Sequence, residues 1–220
     1  MAINFARMKK SEIVWMAKHR CKHGDPYLQH PACYEREVKP TEKIGYLDIE
    51  TSNLHASFGI CLCYAIKVKG QDEILSRVVT KNELSTCLDY KVIKSCIDSL
   101  RKFDRIITYY GSRFDIPFLR TRAISLGLEF PEYWEFVHND MYYAARNRLR
   151  LHSNRLDVVC RTIFGDTEKT RLEPDKWIKA LMGDKGALDY ILDHCQKDTS
   201  ELEKVHDAII NYTRRQDTSV

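Results

Sequence analysis

Two acidic residues, Asp48 and Glu50, interrupt the apolar stretch at residues 44–50. The aromatic and β-branched residues of this stretch predict a strand, and residues two apart in a strand point to the same face. Two carboxylates on one face of an apolar strand repel each other and lose hydration unless a cation neutralises them. Hard oxygen ligands at this spacing suit Mg²⁺ or Mn²⁺. The pair therefore predicts a metal site, and an edge strand with a solvated acidic face is the alternative.

A third acidic residue, Asp115, lies just after a predicted strand that ends at Tyr110. Gly111 allows a sharp turn there, and an acid at the start of the next helix suits the helix dipole. An ordinary capping aspartate is the alternative, but apolar neighbours such as Phe114 weaken that interpretation. Asp115 is therefore a second candidate ligand.

A fourth acidic residue lies in the helix expected from about residue 187. The helix has an apolar stripe made of Ile191, Cys195, Leu202 and Val205. Asp198 falls on this stripe by its helical spacing, whereas Asp193 falls toward solvent. His194 lies one turn before Asp198 on the same side. A carboxylate on a packing face needs a partner, and an ion pair with Arg or Lys is the alternative to a metal.

The elements that must position these acids follow from the hydrophobic pattern. Strand-like residues at 44–50, 58–68 and 73–79 are joined by short turns, which predicts an antiparallel meander. The pattern then predicts a helix at 83–103, a strand at 105–110, a helix at 114–126, a strand at 135–138 and helices to about residue 212. This order predicts an α/β fold in which helices flank a mixed sheet.

Together the acidic motifs resemble those of the DEDD superfamily of 3′–5′ exonucleases, which have a ribonuclease-H-like fold. The motifs are Leu47-Asp48-Ile49-Glu50-Thr51, Tyr110-Gly111-Ser112-Arg113-Phe114-Asp115 and His194-Cys195-Gln196-Lys197-Asp198. The resemblance covers about residues 43–212 and is nearest in character to stand-alone relatives of family B DNA polymerase proofreading domains. It implies a five-stranded sheet, with three antiparallel strands followed by parallel additions.

The resemblance also implies phosphodiester hydrolysis at 3′ ends with two divalent ions. Two Mg²⁺ or Mn²⁺ ions would be held by four carboxylates, those of Asp48, Glu50, Asp115 and Asp198. His194 would orient or deprotonate water, although it stands at the spacing that family members reserve for tyrosine; a core histidine bonded to a backbone carbonyl is the alternative. Thr51 and Ser52, just after the first motif, would lie against the 3′ end of the substrate.

Other side chains are candidates for contacts to nucleic acid. Arg146 and Arg150 are one helical turn apart and could bind phosphates together, with a solvated basic helix as the alternative. Phe58, Tyr110 and Phe114 could stack on terminal bases, although core packing explains aromatic residues equally well. The expected partners are a single-stranded 3′ end, with DNA favoured and RNA open, and a polymerase or another replication or repair protein.

Residues 1–40 differ from the rest in their density of histidine and cysteine. A helix is predicted at 11–18 with Ser11 as its cap, and His19 then begins a loop-like stretch. Any four of His19, Cys21, His23, His30 and Cys33 could in principle bind one Zn²⁺ ion, for example Cys21, His23, His30 and Cys33. Their spacing is not a common zinc-finger pattern. The segment is expected to be either a small zinc-stabilised appendage or a strand-free wrap around the following domain.

Composition narrows the class of protein further. Of 220 residues, 44% are hydrophobic and 30% charged, which is typical of globular rather than disordered chains. No run approaches the roughly 18 apolar residues of a membrane span, and residues 1–10 lack the apolar core of a secretory signal. Most of the eight cysteines lie in apolar runs, so we expect an intracellular, cytoplasmic protein. The net charge of +4 permits a polyanionic partner without requiring one.

These observations predict an N-terminal Cys/His-containing extension at 1–40, an exonuclease domain at 41–213 and a flexible tail at 214–220. The expected function is that of a metal-dependent 3′–5′ exonuclease. A catalytically silent nucleic-acid-binding or scaffolding module of the same fold is one alternative, and a structure-specific endonuclease is another. The presence of all four acids favours the enzyme over the silent module.

Overall fold

A five-stranded mixed sheet lies at the centre of the computed structural model, which describes residues 10–38, 42–132, 135–167 and 173–213. The strands are β1 Ile44–Thr51, β2 Cys61–Val68, β3 Ile74–Val78, β4 Arg105–Thr108 and β5 Val137–Asp140, in the order β3-β2-β1-β4-β5. The first three pair antiparallel, and β4 and β5 add parallel to β1. The predicted α/β class and the predicted mixture of strand directions are confirmed.

Helices separate and cover the strands. They are α1 Lys10–Lys18, α2 Pro31–Glu37, α3 Lys81–Thr86, α4 Tyr90–Leu100, α5 Asp115–Ser125, α6 Met141–Arg148, α7 Leu156–Phe164, α8 Pro174–Leu181 and α9 Lys185–Ile209, with a 3₁₀ turn at Ile210–Tyr212. Within the described part of the chain, no helix is both long and apolar enough to cross a membrane. The chain divides into two units, Met1–Glu42 and Lys43–Val220; the predicted tail at 214–220 lies outside the described residues.

Strand β1, the central strand of the sheet, is buried on both faces. On one face, Leu47 and Ile49 belong to a core cluster with residues of α4 and α5 such as Ile116. On the other face, the Tyr46 hydroxyl lies 3.0 Å from Nδ1 of His206 on α9. Tyr46, Asp48 and Glu50 alternate onto the same face of β1. Helix α9 therefore covers the face that carries the two acids.

Several predicted boundaries were wrong. The helix expected at 83–103 is two helices, because Leu88 adopts a φ of +52° and the chain turns before α4. The adjacent Asp89 is fully buried and bound by Arg122 at 2.6 Å, a contact that fixes the break. The fifth strand lies at 137–140 instead of 135–138. In the N-terminal unit, Ser11 lies inside α1 and is not its cap.

Candidate active site

The first two acids project from the carboxyl half of β1. Parallel β4 pairs with β1 only from Ile44 to Tyr46, so the part of β1 that carries Asp48 and Glu50 runs past the end of its neighbour. The pairing with β2 shifts register between Glu50 and Thr51, and such bulges often re-aim side chains beside active sites. Both carboxylates are half-buried. They lie past the carboxyl end of the parallel pairing with β4, at the edge of the sheet where α/β proteins commonly bind ligands.

Asp115 meets β1 at this open edge. The Ile49 backbone N–H, which lies between the two acids of β1, donates to Oδ1 of Asp115 at 3.2 Å. Asp115 is the first residue of α5, whose cap is Phe114. The Asp115 carboxylate therefore accepts a β1 backbone hydrogen bond beyond the end of β4, where a longer β4 would have paired. This hydrogen bond brings the second motif against the first.

The turn that delivers Asp115 is held by a fifth acid, Asp140 at the end of β5. Its carboxylate accepts from the backbone N–H groups of Tyr110 at 2.8 Å and Ser112 at 3.0 Å. Tyr110 adopts a φ of +69°, which is uncommon outside glycine. A Cβ atom on Gly111 would lie 2.4 Å from Thr108, so only glycine fits there. Asp140 also caps α6, because its carboxylate accepts a hydrogen bond from the Tyr142 N–H at 3.0 Å.

Asp115 is buried among like charges. Burial raises its pKa to about 7, and the negative charges of Asp140 and Asp198 act in the same direction, against the hydrogen bonds from its own N–H and that of Ile49. Asp115 is 4% exposed. A buried carboxyl with a raised pKa beside other carboxylates is typical of functional sites, because such a cluster is costly without a cation.

Helix α9 contributes the last motif. It begins at a cap in which Asp184 accepts from the Ala187 N–H at 2.8 Å, and its apolar stripe buries it against the sheet. Asp198 and His194 are both buried, as the stripe predicts, and Asp193 is exposed. His194 directs Nε2 to within 3.6 Å of the Glu50 carboxylate. The histidine therefore faces the first motif across the helix–strand interface.

The four predicted metal-binding acids lie on three elements; a hydrogen bond joins Asp115 to β1, and the Asp198 charge acts on Asp115. The acids are Asp48 and Glu50 from β1, Asp115 from α5 and Asp198 from α9. Oδ2 of Asp48 and Oδ1 of Asp198 are hidden from solvent. A set of anionic oxygen donors in a buried crevice fits the preferences of Mg²⁺ and Mn²⁺.

The loop after β1 carries the residues expected at the substrate end. The Thr51 hydroxyl donates to the Asn53 carbonyl at 2.9 Å, and the Ser52 hydroxyl accepts from the Ile60 N–H at 2.9 Å. Both hydroxyls therefore shape the loop. Phe58 on the same loop is 86% exposed.

The two aromatic residues of the second motif differ in exposure. Tyr110 is 45% exposed and contacts the ring of Tyr142 edge-on at 4.9 Å. Phe114 is half-buried, packs against the main core cluster and lies 5.8 Å from the ring of Phe118. Tyr110 is thus available to stack on a base, whereas the exposed area of Phe114 is smaller.

The expected pairing of two arginines along one helix was wrong. Helix α6 ends at Arg148, and Leu149 adopts an extended backbone with ψ of 152°. Arg146 lies in the last turn of the helix and Arg150 lies beyond it, so they do not share a helical face. Both side chains are exposed.

The Cys/His set of the smaller unit is gathered closely. The ligand atoms of Cys21, His23, His30 and Cys33 all lie within 4.8 Å of one another, and the set could hold a metal ion. His19 is not part of it and stacks on Trp15 at 3.9 Å. Among the described residues, no set of three or more acids is drawn together as tightly as this group.

Comparisons with known proteins agree with this architecture. The family model that describes the RNase_H superfamily matches residues 45–210. A DNA polymerase of Methanocaldococcus jannaschii is 30% identical over 134 residues, which are 52% of this chain and 8% of the polymerase. DNA polymerase 1 of Pyrococcus abyssi is 27% identical over 149 residues, 59% of this chain and 17% of the polymerase. This chain therefore spans less than a fifth of these relatives.

A solved structure gives the same result for the fold. The family B DNA polymerase of the archaeon Pyrobaculum calidifontis superposes with a TM-score of 0.58 and 18% identity, over 76% of this chain and 25% of that chain. The predicted ribonuclease-H-like fold and the similarity to family B DNA polymerases are confirmed.

Proposed function

Because this chain belongs to the RNase_H superfamily, we propose that it is a metal-dependent 3′–5′ exonuclease that hydrolyses phosphodiester bonds at the 3′ ends of nucleic acid. The observation that carries the proposal is the hydrogen bond from the Ile49 N–H to Asp115. It joins the second acidic motif to the first at the open end of β1, and the Asp198 charge acts on the same carboxyl. Residues 41–213 would form the exonuclease domain, preceded by the Cys/His-containing extension at 1–40.

The cofactors would be two Mg²⁺ or Mn²⁺ ions. Their ligands would be Asp48, Glu50, Asp115 and Asp198. When bound, such ions supply hydroxide from water near neutral pH and stabilise the charge on a leaving 3′ oxygen.

Two groups of this chain would act beside the ions. His194, 3.6 Å from Glu50, would position the attacking water and accept its proton. Asp140 would be a positioning residue, because it holds the Tyr110–Ser112 turn from which Asp115 is delivered.

The substrate would be a single-stranded 3′ end. The exposed rings of Tyr110 and Phe58 would stack on unpaired bases. Any base can stack in this way, but the bases of a paired end are held in the duplex. Thr51 and Ser52 would border the terminal nucleotide, with Phe114 beneath it. Arg146 and Arg150 would contact phosphates from separate backbone segments. DNA is favoured over RNA because the relatives are named DNA polymerases, and a polymerase or another replication or repair protein is the proposed partner.

The test is digestion of 5′-labelled linear single-stranded DNA and RNA, with circular single-stranded DNA alongside, in Mg²⁺, Mn²⁺ or EDTA. We expect stepwise shortening of the linear strand with either metal, no reaction in EDTA and an intact circle. Asp48→Ala and Asp198→Ala should each lower the rate more than about 100-fold, because both remove an ion ligand. Cleavage of the circle would identify an endonuclease instead, and binding without cleavage would identify the silent module.

A further inference from the structure

The Cys/His set lies outside the machinery of the proposed nuclease. We propose that the smaller unit binds one structural zinc ion through Cys21, His23, His30 and Cys33. This site is independent of the proposed exonuclease activity, because its ligands belong to the Met1–Glu42 unit and the acids belong to the Lys43–Val220 unit.

The distances between ligand atoms match those of a tetrahedral zinc site. Sγ of Cys21 lies 3.7 Å from Nδ1 of His23 and 3.7 Å from Nδ1 of His30. Sγ of Cys33 lies 3.3 Å from Nδ1 of His23. With zinc–sulfur bonds of about 2.3 Å and zinc–nitrogen bonds of about 2.0–2.1 Å, a regular tetrahedron has sulfur–nitrogen edges of about 3.6 Å. The four atoms can therefore surround one ion with little movement.

The two histidines are turned so that the same ring atom, Nδ1, faces the thiols. The other ring nitrogen of His30, Nε2, lies 3.5 Å from the Asp25 carboxylate. Metal-binding histidines commonly donate their second ring N–H to a carboxylate, which fixes the tautomer and the ring orientation. Asp25 therefore supplies the outer partner that a zinc-binding His30 needs.

Local backbone structure presents the ligands as two pairs. The first pair lies in a tight turn, where the Gly24 N–H donates to the Cys21 carbonyl at 2.9 Å and Gly24 adopts a φ of +91°. The second pair lies at the start of α2, where the Cys33 N–H donates to the His30 carbonyl at 2.9 Å. The turn and the first turn of a helix thus bring their side chains to a common point.

The ligand types favour zinc over the ions proposed for the acids. Two thiolates and two imidazoles suit Zn²⁺, whereas Mg²⁺ prefers oxygen ligands. A thiolate is the form that binds metal.

The part of the smaller unit that the structure describes has a small buried core. Its buried cluster consists of Met16, Cys21, Tyr27, Cys33 and Tyr34. Units of about 40 residues or fewer usually need a metal, disulfides or a partner chain for stability. Two of the five buried residues are the proposed cysteine ligands, so an ion at this point would tie the cluster together.

The experiment uses the full chain, purified with reductant and without chelator, and measures zinc by mass spectrometry. We expect one zinc per chain, and less than a tenth of that in Cys21→Ser and Cys33→Ser. Cys87→Ser, a half-buried cysteine of the larger unit, is the matched control and should keep full occupancy. Asp48→Ala should also keep its zinc, which separates this site from the nuclease proposal.

Two further measurements guard against variants that simply fail to fold. Cobalt added to the metal-free wild-type chain should give the visible absorption of a tetrahedral thiolate site, and zinc should displace it. Removing zinc should raise the rate of tryptic cleavage after Lys18, Arg20 and Lys22 at least tenfold. The peptides are identified by mass spectrometry. Any of three results would overturn the proposal. They are less than a tenth of an equivalent of bound zinc after zinc titration, a cobalt absorption typical of six oxygen ligands, and a Cys21–Cys33 disulfide in the reduced preparation.

Discussion

The raised pKa of Asp115 makes a specific prediction about stability and pH. The group moves from its ordinary value of 3.8 to about 7 in the folded chain. Because the folded-state pKa is the higher one, ionisation favours the unfolded state: the cost is absent below about pH 4 and complete above about pH 7. At 1.36 kcal/mol per pKa unit this cost reaches at most about 4 kcal/mol, of which about 3 kcal/mol develops between pH 5 and 8.

The perturbation is Asp115→Asn, which keeps an oxygen to accept from the Ile49 N–H but removes the charge. Urea unfolding followed by far-UV circular dichroism, in buffer without Mg²⁺ or Mn²⁺, should show the variant more stable than wild type at pH 8 and the difference fading toward pH 4. Asp98→Asn, an exposed helix position that pairs with Lys94, is the control and should leave the pH dependence unchanged. Mg²⁺ should stabilise wild type more than Asp115→Asn, since it binds the folded state through this carboxylate.

Parallel curves of unfolding free energy against pH for wild type and Asp115→Asn would contradict this prediction. That result would mean that the carboxyl is ionised at little cost in the folded chain. The negative charges of Asp140 and Asp198 would then not act on it as the structure indicates.

Three further predictions concern single side chains. His194→Ala should lower the rate of 3′ shortening by about 10²–10⁴-fold, and calorimetry should show little change in Mn²⁺ affinity. Loss of Mn²⁺ binding would instead identify His194 as a metal ligand. Arg122→Ala leaves the buried Asp89 carboxylate without its ion pair and should lower the free energy of unfolding by about 3–5 kcal/mol in urea; a loss below 1 kcal/mol would contradict this. Burial lowers the pKa of His206 to about 4, so the contribution of this group to stability should fall as pH drops from about 6.5 to 4, and in the same assay wild type should lose stability relative to His206→Gln over that range.

The parts of the fold that depend on local pattern were predictable. The alternation along β1 predicted that Asp48 and Glu50 share a face, and the stripe along α9 predicted burial of Asp198 and exposure of Asp193. In both elements the period of the secondary structure alone decides which side chains point inward.

The features that depend on distant contacts were not predictable. The break before α4 is fixed by a pair between Asp89 and Arg122, 33 residues apart. The end of α6 before Arg150 has no proline or glycine to signal it. The role of Asp140 in holding the Tyr110 turn arises because β4 and β5 are neighbours in the sheet, and no spacing in the sequence contains that information.

The central claim is that the four acids perform metal-dependent cleavage from the 3′ end. The most direct measurement compares Asp198→Asn with Asp193→Asn, two aspartates of the same helix, on 5′-labelled single-stranded DNA with Mn²⁺. Asp193 is exposed and bound by Lys197 at 2.7 Å, so its variant should shorten the strand as fast as wild type. The Asp198 variant should be slower by more than about 100-fold. Equal rates for the two variants, or loss of cleavage in both, would contradict the proposed metal-dependent cleavage.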